Sequence, residues 1–292
     1  MKDHYWGKLI LFGEYSMIYD SNALLIPMKR FSARWEQGSN DFLRFSSCEL
    51  LRFAKFLSED PILAKMIDTD AFSADLENGW ALASDIPVGY GLGSSGSVVA
   101  AVYEKYAREL ITDPLELKKI FSQMESHFHG SSSGIDPLQC YIGKPFCIRE
   151  NKMEILSDDF LQEDIHIGLL DTRIKSDTKP LVEYFRKQRE DAGFIKGFEQ
   201  EYLPCVSSCM DTLIRGDSTA FLPELNKLSL LQLRFLRKMI PDSVLPLFEL
   251  KADGGFGIKI LGAGGGGYML LFANNIEAVS EHLGAYDTFW LN

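Results

Sequence analysis

The sequence predicts a two-domain protein of the α+β or α/β class. Its 292 residues can form two ordinary domains, and 46% apolar with 24% charged residues allow a sizeable buried core. Strand-like and helix-like segments alternate in both halves of the chain, which favours layered packing of the two element types. A polar stretch from Ser157 to Glu163 separates the halves, so we expect domains over residues 1–160 and 161–292.

The first half is predicted to open with β-structure and to reach a glycine-rich loop at residues 87–97, PVGYGLGSSGS. Short apolar runs bounded by turn residues, and the spacing of apolar residues, distinguish strands from helices. The predicted strands or extended segments are Lys8–Phe12, Ala23–Ile26, Ser32–Glu36, Phe42–Ser46, Ala71–Leu76 and Trp80–Pro87. The predicted helices are Glu49–Leu57, Pro61–Ile67, Val98–Leu110 and a segment that begins at Asp113-Pro114 and ends near Phe128.

The second half is predicted to be mainly helical up to residue 255 and then to turn at a second glycine cluster. The predicted strands are Pro145–Ile148, His166–Leu170, Phe256–Leu261 and Tyr268–Phe272. The predicted helices are Thr178–Gln188, Ile195–Ile214, Thr219–Met239, Asp242–Lys251 and one that begins at Ile276. The glycine cluster Gly262–Gly267 lies between the last two strands, where it fits a flexible hairpin or a tight packing turn.

Composition and charge exclude several classes of function. The 30 basic and 41 acidic residues give a net charge of −11, which opposes binding to nucleic acid or to an anionic membrane. The N-terminal residues lack the apolar centre of a signal peptide, and no run approaches the roughly 20 apolar residues of a membrane-spanning helix. We expect a cytoplasmic protein without nucleic-acid or membrane partners, as a monomer or a homodimer.

The cysteines and histidines do not predict a disulfide framework or a zinc site. The five cysteines are an odd number and form no C-x-x-C pair, so buried, reduced thiols are expected. His127 and His129 have no acidic or cysteine partner at the spacing of a zinc site, and packing in a loop is the expected role of both.

The loop at residues 87–97 allows two interpretations, because it contains the dinucleotide fingerprint G-x-G-x-x-G and a looser phosphate-binding pattern. A dinucleotide fold should carry an acidic strand end about 20 residues after the first glycine, where Asp113 is instead predicted to begin a helix. The Walker sequence and the protein kinase motifs H-R-D and D-F-G are absent. The loop therefore favours phosphate binding by backbone N–H groups, serine hydroxyls and the N-terminus of the following helix.

Three ordered motifs resemble the GHMP kinases. The loop PVGYGLGSSG is similar to their P-x-x-x-G-L-G-S-S-A, KLILFGEY at residues 8–15 to their K-x-I-L-F-G-E-H, and KILGAGGGG at residues 259–267 to their closing glycine motif. Within the family, HGSSSGID at residues 129–136 and DTRIKSDTK at residues 171–179 look most like the mevalonate kinases. The resemblance implies an α+β fold, with a left-handed βαβ unit in the N-terminal domain and a ferredoxin-like C-terminal domain.

Three positions depart from the family pattern. Gly96 replaces the usual alanine of the second motif, and Tyr15 replaces the histidine of the first. The Pro-Gly that usually precedes the motif lysine is Trp6-Gly7 here. Tyr15 follows the motif residue Glu14, so this departure affects the expected contact with the acceptor and hence the identity of the substrate.

The resemblance implies a small-molecule kinase that uses ATP and Mg²⁺. It assigns Asp136 as the base beside the acceptor hydroxyl and Lys8 as its cationic partner, with Ser95 and Glu125 as Mg²⁺ ligands. The residues expected to hold ATP are Pro87, Gly89, Gly91, Leu92, Gly93, Ser94, Ser95, Gly96 and Ser97. Without the resemblance, Asp136 fits a helix N-cap ahead of Pro137, and Glu125 fits a solvated helix residue.

The resemblance also implies acceptor contacts and a reaction. The residues expected to hold the acceptor are Glu14, Tyr15, Thr178, Lys179, Ala263, Gly264 and Gly265, although Thr178 and Lys179 equally fit a solvated helix start. The implied reaction moves the γ-phosphate of ATP to the primary hydroxyl of a mevalonate-like hydroxy acid. The alternatives are phosphomevalonate kinase, diphosphomevalonate decarboxylase, a sugar kinase, or a catalytically silent ligand sensor of the same fold.

Overall fold

The computed structural model describes residues 2–19, 21–38, 47–150, 152–161, 164–249 and 255–291. Three parts of the prediction lie outside these ranges. They are the strand Phe42–Ser46, the end of the polar boundary stretch at Glu163, and residues 250–251 of the helix Asp242–Lys251. Contacts divide the chain into two compact units, which we call unit 1 and unit 2. Unit 1 comprises Met1–Leu9, Ile26–Val88 and Leu92–Phe146, and unit 2 comprises Ile10–Leu25, Gly89–Gly91 and Cys147–Asn292. A domain boundary at residue 160 stays a prediction.

The N-terminal strands belong to a five-stranded sheet. Its strands are β1 (Tyr5–Phe12), β2 (Ala23–Gln37), β3 (Trp80–Ser84), β4 (Phe146–Arg149) and β5 (Lys152–Ile155). The strand order is β1-β2-β4-β5, and β3 pairs with β2 in antiparallel register, with Ala33 opposite Ser84. The two predicted strands between residues 23 and 36 form the single strand β2, and β5 was not predicted.

Six helices lie in the part of unit 1 that the structure describes. They are α1 (Ser47–Glu59), α2 (Leu63–Met66), α3 (Thr69–Glu77), α4 (Ser94–Tyr106), α5 (Pro114–His129) and α6 (Ile135–Ile142). The prediction that residues 71–76 are extended was wrong, because they lie in α3. The Asp68 carboxylate caps this helix by accepting the Ala71 N–H, and Phe72 and Leu76, four residues apart, bury one face.

We call the glycine-rich loop at residues 87–97 the opening loop. Its last four residues form the first turn of α4, a helix that is buried along most of its length. Gly93 precedes the helix with φ 77°, a left-handed conformation that favours glycine. Asp113 caps α5 through its carboxylate and Pro114 occupies the first turn, as the sequence predicts. Gly134, also left-handed at φ 74°, precedes α6.

Unit 2 contains a four-stranded antiparallel sheet in the order expected for a ferredoxin-like domain. Its strands are β6 (His166–Asp171), β7 (Phe256–Ile260), β8 (Tyr268–Ala273) and β9 (Asp287–Trp290), arranged β7-β8-β6-β9. The helices are α7 (Thr178–Gln188), α8 (Ala192–Gly197), α9 (Leu203–Ile214), α10 (Ser218–Phe235), α11 (Leu245–Glu249) and α12 (Ile276–Leu283). Helix and strand content are mixed in both units, which confirms the α+β class.

The predicted helices of unit 2 are divided more finely than the sequence indicates. A π-helical turn at Phe198–Tyr202 joins α8 to α9, so the predicted helix Ile195–Ile214 has three parts. Helix α10 ends at Phe235 and a 3₁₀ turn, Arg237–Met239, follows it. No helix in the described ranges is long and apolar enough to cross a membrane.

Candidate active site

The structure brings Lys8 and Asp136 together inside unit 1. Lys8 lies in β1 with its side chain 1% exposed, and its Nζ is 2.9 Å from Oδ2 of Asp136, which is 29% exposed. The Lys8 N–H donates to the carbonyl of Leu92 at 2.9 Å. A Cβ built on Gly93 would come within 2.6 Å of Lys8 Cγ, so glycine leaves room for the lysine as well as adopting the positive φ. The end of the opening loop is thereby fixed against the Lys8–Asp136 pair.

Asp136 lies in the first turn of α6, and Gly134 occupies the N-cap position. The alternative assignment of Asp136 as the N-cap residue was therefore wrong. A carboxylate in the first turn is favoured by the helix dipole and stays available to a ligand. Its partner lysine is buried, whereas the carboxylate is partly exposed, so the pair presents its acidic member to solvent.

A second polar cluster in unit 1 surrounds Glu125 on α5. The Ser95 hydroxyl donates to Glu125 Oε1 at 2.9 Å and lies 3.0 Å from His129 Nε2. The Ser132 hydroxyl donates to Glu125 Oε2. Glu125 is 3% exposed, which excludes the solvated helix position as its state. Both carboxylate oxygens therefore have a serine hydroxyl as partner, as a buried carboxylate requires.

The electrostatics of this cluster favour a neutral Glu125 and a neutral His129 when no cation is bound. Burial, and then the nearby charge of Asp136, raise the pKa of Glu125 to about 7, although the Ser132 and Ser95 hydroxyls and the Lys8 charge lower it. Burial is also the main cause that lowers the pKa of His129. A cation at Glu125 would favour its ionised form, because opposite charges within a few ångströms stabilise each other.

The donor set at Glu125 fits Mg²⁺. Ser95 and Glu125 supply hard oxygen donors, and Mg²⁺ is usually held by one or two carboxylates together with phosphate oxygens and water. Within the described ranges no group of three or more His, Cys, Asp or Glu side chains is placed to hold a metal ion. Phosphate oxygens and water would therefore have to complete the coordination at Glu125.

The residues predicted to hold ATP are distributed along the loop and the first turn of α4. Pro87 is the first residue of the loop, and Gly89, Gly91 and Gly93 adopt positive φ values of 83°, 78° and 77°. Leu92 is buried, while Ser94 and Ser95 are half-buried in the first turn of α4. Gly96 and Ser97 are buried, and the Ser97 hydroxyl donates to the Ser94 carbonyl, so Ser97 supports the start of α4. Its part in holding ATP stays a prediction.

The closing glycine loop, residues 262–267, is held by its neighbours in unit 2. The Gly267 N–H donates to Ile174 O and the Gly265 N–H to Met239 O, both at 2.6 Å. The Thr172 and Ser176 hydroxyls donate to the carbonyls of Gly267 and Gly264. Segment 171–179, DTRIKSDTK, thus fixes the backbone of the closing loop.

Residues 89–91 of the opening loop lie against the closing loop within unit 2. A Cβ on Gly267 would be 2.7 Å from the Tyr90 Cα, and one on Gly262 would be 3.5 Å from the Gly91 Cα. The Ser176 N–H donates to the Gly89 carbonyl at 3.1 Å. A Cβ at position 267 would clash with the Tyr90 backbone, so the absence of a side chain there allows this close approach.

The structure places Glu14 and Tyr15 in the interior of unit 2. Glu14 Oε1 is 2.5 Å from Lys259 Nζ, with both side chains at most 2% exposed, and Lys259 also donates to Ile260 O. The Tyr15 hydroxyl donates to the Ala263 carbonyl at 2.8 Å, and its ring packs on Phe185 with 4.6 Å between centroids. Tyr15 therefore supports the closing loop, whereas Glu14 holds a lysine of the strand β7 that precedes it.

The other predicted acceptor residues, apart from Gly264, lie nearer the surface. Thr178 and Lys179 begin α7, and Lys179 is exposed. Ala263 and Gly265 are half-buried, while Gly264 is buried, and a Cβ on Gly264 would be 2.5 Å from the Met239 carbonyl.

Sequence reasoning missed three residues of these clusters. His129 was predicted to pack in a loop, but it contacts Ser95. Ser132 lies in a run of three serines, and nothing in that run distinguishes it from its neighbours. The burial of Lys259 could have been predicted, because a lysine inside the apolar strand Phe256–Ile260 needs a buried anionic partner.

Comparison with known proteins identifies the fold. Residues 57–144 match the GHMP kinases N terminal domain. The structure of Leishmania major mevalonate kinase in complex with R-mevalonate superposes with a TM-score of 0.68 at 20% identity, covering 98% of this chain and 91% of that one. The chain has the GHMP kinase fold. The Methanococcus jannaschii mevalonate kinase has the same GHMP kinase fold, with a TM-score of 0.65 at 19% identity over 99% of this chain and 96% of that one.

Sequence relatives named mevalonate kinase support the resemblance of the motifs to that group. The mevalonate kinase of Thermococcus gammatolerans is 28% identical over 300 residues, which cover 91% of this chain and 87% of the relative. That of Pyrococcus furiosus is 28% identical over 302 residues, covering 92% and 88%. The GHMP kinase fold does not itself choose an acceptor, because Lactococcus lactis galactokinase complexed with galactose also superposes, with a TM-score of 0.65 at 15% identity over 99% of this chain and 91% of that one.

Proposed function

We propose that the chain is an ATP-dependent kinase that phosphorylates the primary hydroxyl of mevalonate to give 5-phosphomevalonate. The observation that carries the kinase assignment is the 2.9 Å contact between Lys8 and Asp136 at the end of the opening glycine loop. The acceptor is supported by relatives named mevalonate kinase, which align over nine-tenths of the chain.

Asp136 accepts the proton of the acceptor hydroxyl as that oxygen attacks the γ-phosphorus and the bond to the β-phosphate oxygen of ATP breaks. A positioned base of this kind contributes about 10²–10⁴-fold to the rate. Lys8 pairs with the Asp136 carboxylate and stabilises negative charge that develops on the attacking oxygen. Little other covalent work is needed, because phosphoryl transfer depends mainly on alignment and charge stabilisation.

The opening loop and α4 would hold the phosphates of ATP. Alternate residues of the loop, Gly89, Gly91 and Gly93, have left-handed backbone that lets N–H groups approach an anion closely. The N-terminus of the 13-residue helix α4 adds unpaired N–H groups and the positive end of its dipole. Phosphate binding is thus compatible with the net charge of −11.

Ser95 and Glu125 would hold Mg²⁺, with phosphate oxygens and water as the remaining ligands. Bound Mg²⁺ would neutralise charge on the transferred phosphoryl group. The residues of this chain keep the two oxygen donors together: α4 supplies the hydroxyl and α5 the carboxylate, 2.9 Å apart.

The acceptor contacts remain proposals for Thr178, Lys179, Ala263, Gly264 and Gly265. Lys179 is an exposed cation that suits the carboxylate of mevalonate, and Thr178 is adjacent at the start of α7. Glu14 and Tyr15 would act through the closing loop, because Glu14 is paired with Lys259 and the Tyr15 hydroxyl is bonded to Ala263.

Phosphate transfer from ³²P-labelled ATP to a set of acceptors tests the proposal. We expect labelled product with mevalonate, and none with phosphomevalonate, galactose or homoserine. Labelling of a different acceptor would reassign the substrate within the fold. Tight ATP binding without transfer to any acceptor would instead identify a ligand sensor and end the kinase proposal.

A further inference from the structure

Ser132 makes three hydrogen bonds in the segment that joins α5 to α6. Its hydroxyl donates to Glu125 Oε2 and accepts the Gly134 N–H at 2.9 Å, and its carbonyl accepts the Ser122 hydroxyl at 2.6 Å. Ser122 and Glu125 both lie on α5, while Gly134 precedes α6. The side chain of Ser132 thus connects the carboxylate on one helix to the start of the next.

The connection has a fixed geometry because the segment lies directly on α5. Gly134 has a φ of 74°, and a Cβ there would be 2.0 Å from the Lys118 carbonyl and 2.7 Å from the Ser122 nitrogen. No larger residue fits against this turn of α5. The position of the Ser132 hydroxyl is therefore set by backbone contacts as well as by its own hydrogen bonds.

The two oxygens of Glu125 have different surroundings. Oε1 faces Ser95, the other candidate Mg²⁺ ligand, whereas Oε2 is bonded to Ser132. Oε1 and the Ser95 oxygen lie 2.9 Å apart, so the two could bind one ion together. Oε2 keeps its bond from Ser132, which fixes the rotamer of Glu125 and favours ligation through a single oxygen.

We propose that Ser132 is a positioning residue that orients Glu125 to bind Mg²⁺ through Oε1. This inference rests on the proposed function, in which Glu125 and Ser95 hold the metal that accompanies ATP. Ser132 also ties Glu125 to Gly134, two residues before Asp136. The Ser132 hydroxyl thereby fixes the position of the Glu125 carboxylate relative to Asp136 inside unit 1.

Binding of Mn²⁺, a paramagnetic substitute for Mg²⁺, tests the role of Ser132 without any phosphate transfer. The titration follows free Mn²⁺ by electron paramagnetic resonance, with the full chain and the non-hydrolysable nucleotide AMP-PNP. Loss of a group that orients a metal ligand typically lowers metal affinity about 10–100-fold, and we expect this for Ser132→Ala. Ser132→Thr, which keeps the hydroxyl, should restore the affinity.

Ser133→Ala is the matched control, because Ser133 is exposed in the same segment and its hydroxyl bonds only weakly, at 3.4 Å, to the Ile135 N–H. We expect wild-type Mn²⁺ affinity in this variant. Ser132→Cys provides a second test with nearly unchanged volume, and should also lose affinity because the thiol is a poor donor. In the kinase assay, the Mg²⁺ concentration for half-maximal activity should rise with Ser132→Ala while the KM for mevalonate stays constant.

Wild-type Mn²⁺ affinity in both Ser132→Ala and Ser132→Cys would overturn the proposal. An equal loss in Ser133→Ala would overturn it as well, since the effect would then belong to the whole segment. The titration contains no acceptor, so it gives its answer even if mevalonate is not phosphorylated. Failure of the function and failure of the role of Ser132 are therefore separate results.

Discussion

At the residue scale, the Lys8–Asp136 pair combines a buried cation with a partly exposed anion. Burying an unpaired ammonium group is costly, so Lys8 depends on Asp136 as much as Asp136 depends on Lys8. Removal of the carboxylate therefore affects stability as well as chemistry. A substitution that keeps the shape of the side chain but not its charge still leaves Lys8 without its anionic partner, so the free energy of unfolding has to be measured beside kcat.

Asp136→Asn should lower kcat by about 10²–10⁴-fold, because an amide cannot accept the hydroxyl proton. Nucleotide affinity should persist, since Asp136 is not part of the glycine loop. Steady-state kinetics and binding of a fluorescent ATP analogue measure the two quantities. Asp70→Asn, at an exposed position on α3, is the control and should leave both unchanged. Near-normal turnover of Asp136→Asn would remove Asp136 from the mechanism.

Glu125 should make the metal-free protein less stable as the pH rises. Its pKa in the folded state is about 7, raised by burial from the ordinary value of 4.5. Between these values the folded state binds more protons than the unfolded state, so the free energy of unfolding falls as the pH rises through this window. Above pH 7 the carboxylate is charged in both states and the full penalty is present.

Glu125→Gln should remove this penalty in EDTA without nucleotide. Relative to wild type, the variant should gain on the order of 2 kcal/mol between pH 5 and pH 8. Urea unfolding at the two pH values measures this difference, and the exposed Glu109→Gln is the control. The same stabilised variant should lose Mn²⁺ binding. Parallel pH profiles for wild type and Glu125→Gln would contradict the assigned cause.

At the element scale, the close contact of α4 with α6 positions the candidate base. A Cβ on Gly96 would come within 2.8 Å of the Pro137 nitrogen and 2.9 Å of the Asp136 carbonyl carbon. These are backbone atoms, which cannot move aside as a flexible side chain can. Gly96, which replaces the alanine of the GHMP motif, therefore allows α4 to lie very close to the backbone at Asp136.

Gly96→Ala should destabilise the protein by about 1–3 kcal/mol through overpacking, despite the higher helix propensity of alanine. It should also lower kcat, because α6 must shift and carries Asp136 with it. Gly193→Ala on α8 is the matched control, since the nearest neighbour of a Cβ there is the Asp191 carboxylate at 3.2 Å. That variant should keep or increase stability. Thermal unfolding and steady-state kinetics of both variants test this prediction. Equal stability and equal kcat in Gly96→Ala and Gly193→Ala would contradict the overpacking argument.

At the scale of the whole molecule, the Glu14–Lys259 pair joins residues 245 positions apart inside unit 2. Both side chains are almost fully buried, so loss of one partner leaves an uncompensated charge. Lys259→Met should lower the free energy of unfolding by about 3–5 kcal/mol. The double substitution Glu14→Gln with Lys259→Met should cost less than Lys259→Met alone.

The exposed pair Arg173–Asp287 provides the comparison. Its atoms are 2.6 Å apart, but both side chains are more than 60% exposed, and Arg173→Ala should cost about 0–1 kcal/mol. Denaturant unfolding of the wild type, Lys259→Met, the double variant and Arg173→Ala measures the differences in the free energy of unfolding. A loss for Lys259→Met as small as that for Arg173→Ala would show that the buried pair contributes little to stability.

Sequence reasoning predicted the parts of this molecule that local chemistry determines. The Asp113-Pro114 start of α5, the bounds of α7 and the strand–glycine–strand order near the C-terminus depend on neighbouring residues. Helix α3 was missed because its buried positions, Phe72 and Leu76, do not by themselves exclude a strand. Strand β9 was missed because its residues are exposed or half-buried, and only pairing with β6 defines it.

The candidate site was predictable where the family motifs name a residue, and not where a contact crosses the sequence. Lys8 and Asp136 were paired by the resemblance and meet in the structure. The Ser132–Glu125 bond depends on how the segment after α5 folds back on that helix. The burial of Glu14 depends on a lysine in a strand near the other end of the chain. Local patterns carry no information about either.

The path of the chain has a consequence for attempts to divide the protein. The chain passes between units 1 and 2 after Leu9, Leu25, Val88, Gly91 and Phe146, so neither unit is one continuous segment. A C-terminal fragment of residues 161–292 would keep Lys259 but lack Glu14. We expect such a fragment, made alone, to show no cooperative melt by circular dichroism. Halves of this gene are therefore poor candidates for independent expression or for exchange between related enzymes, even though the folded molecule has two compact parts.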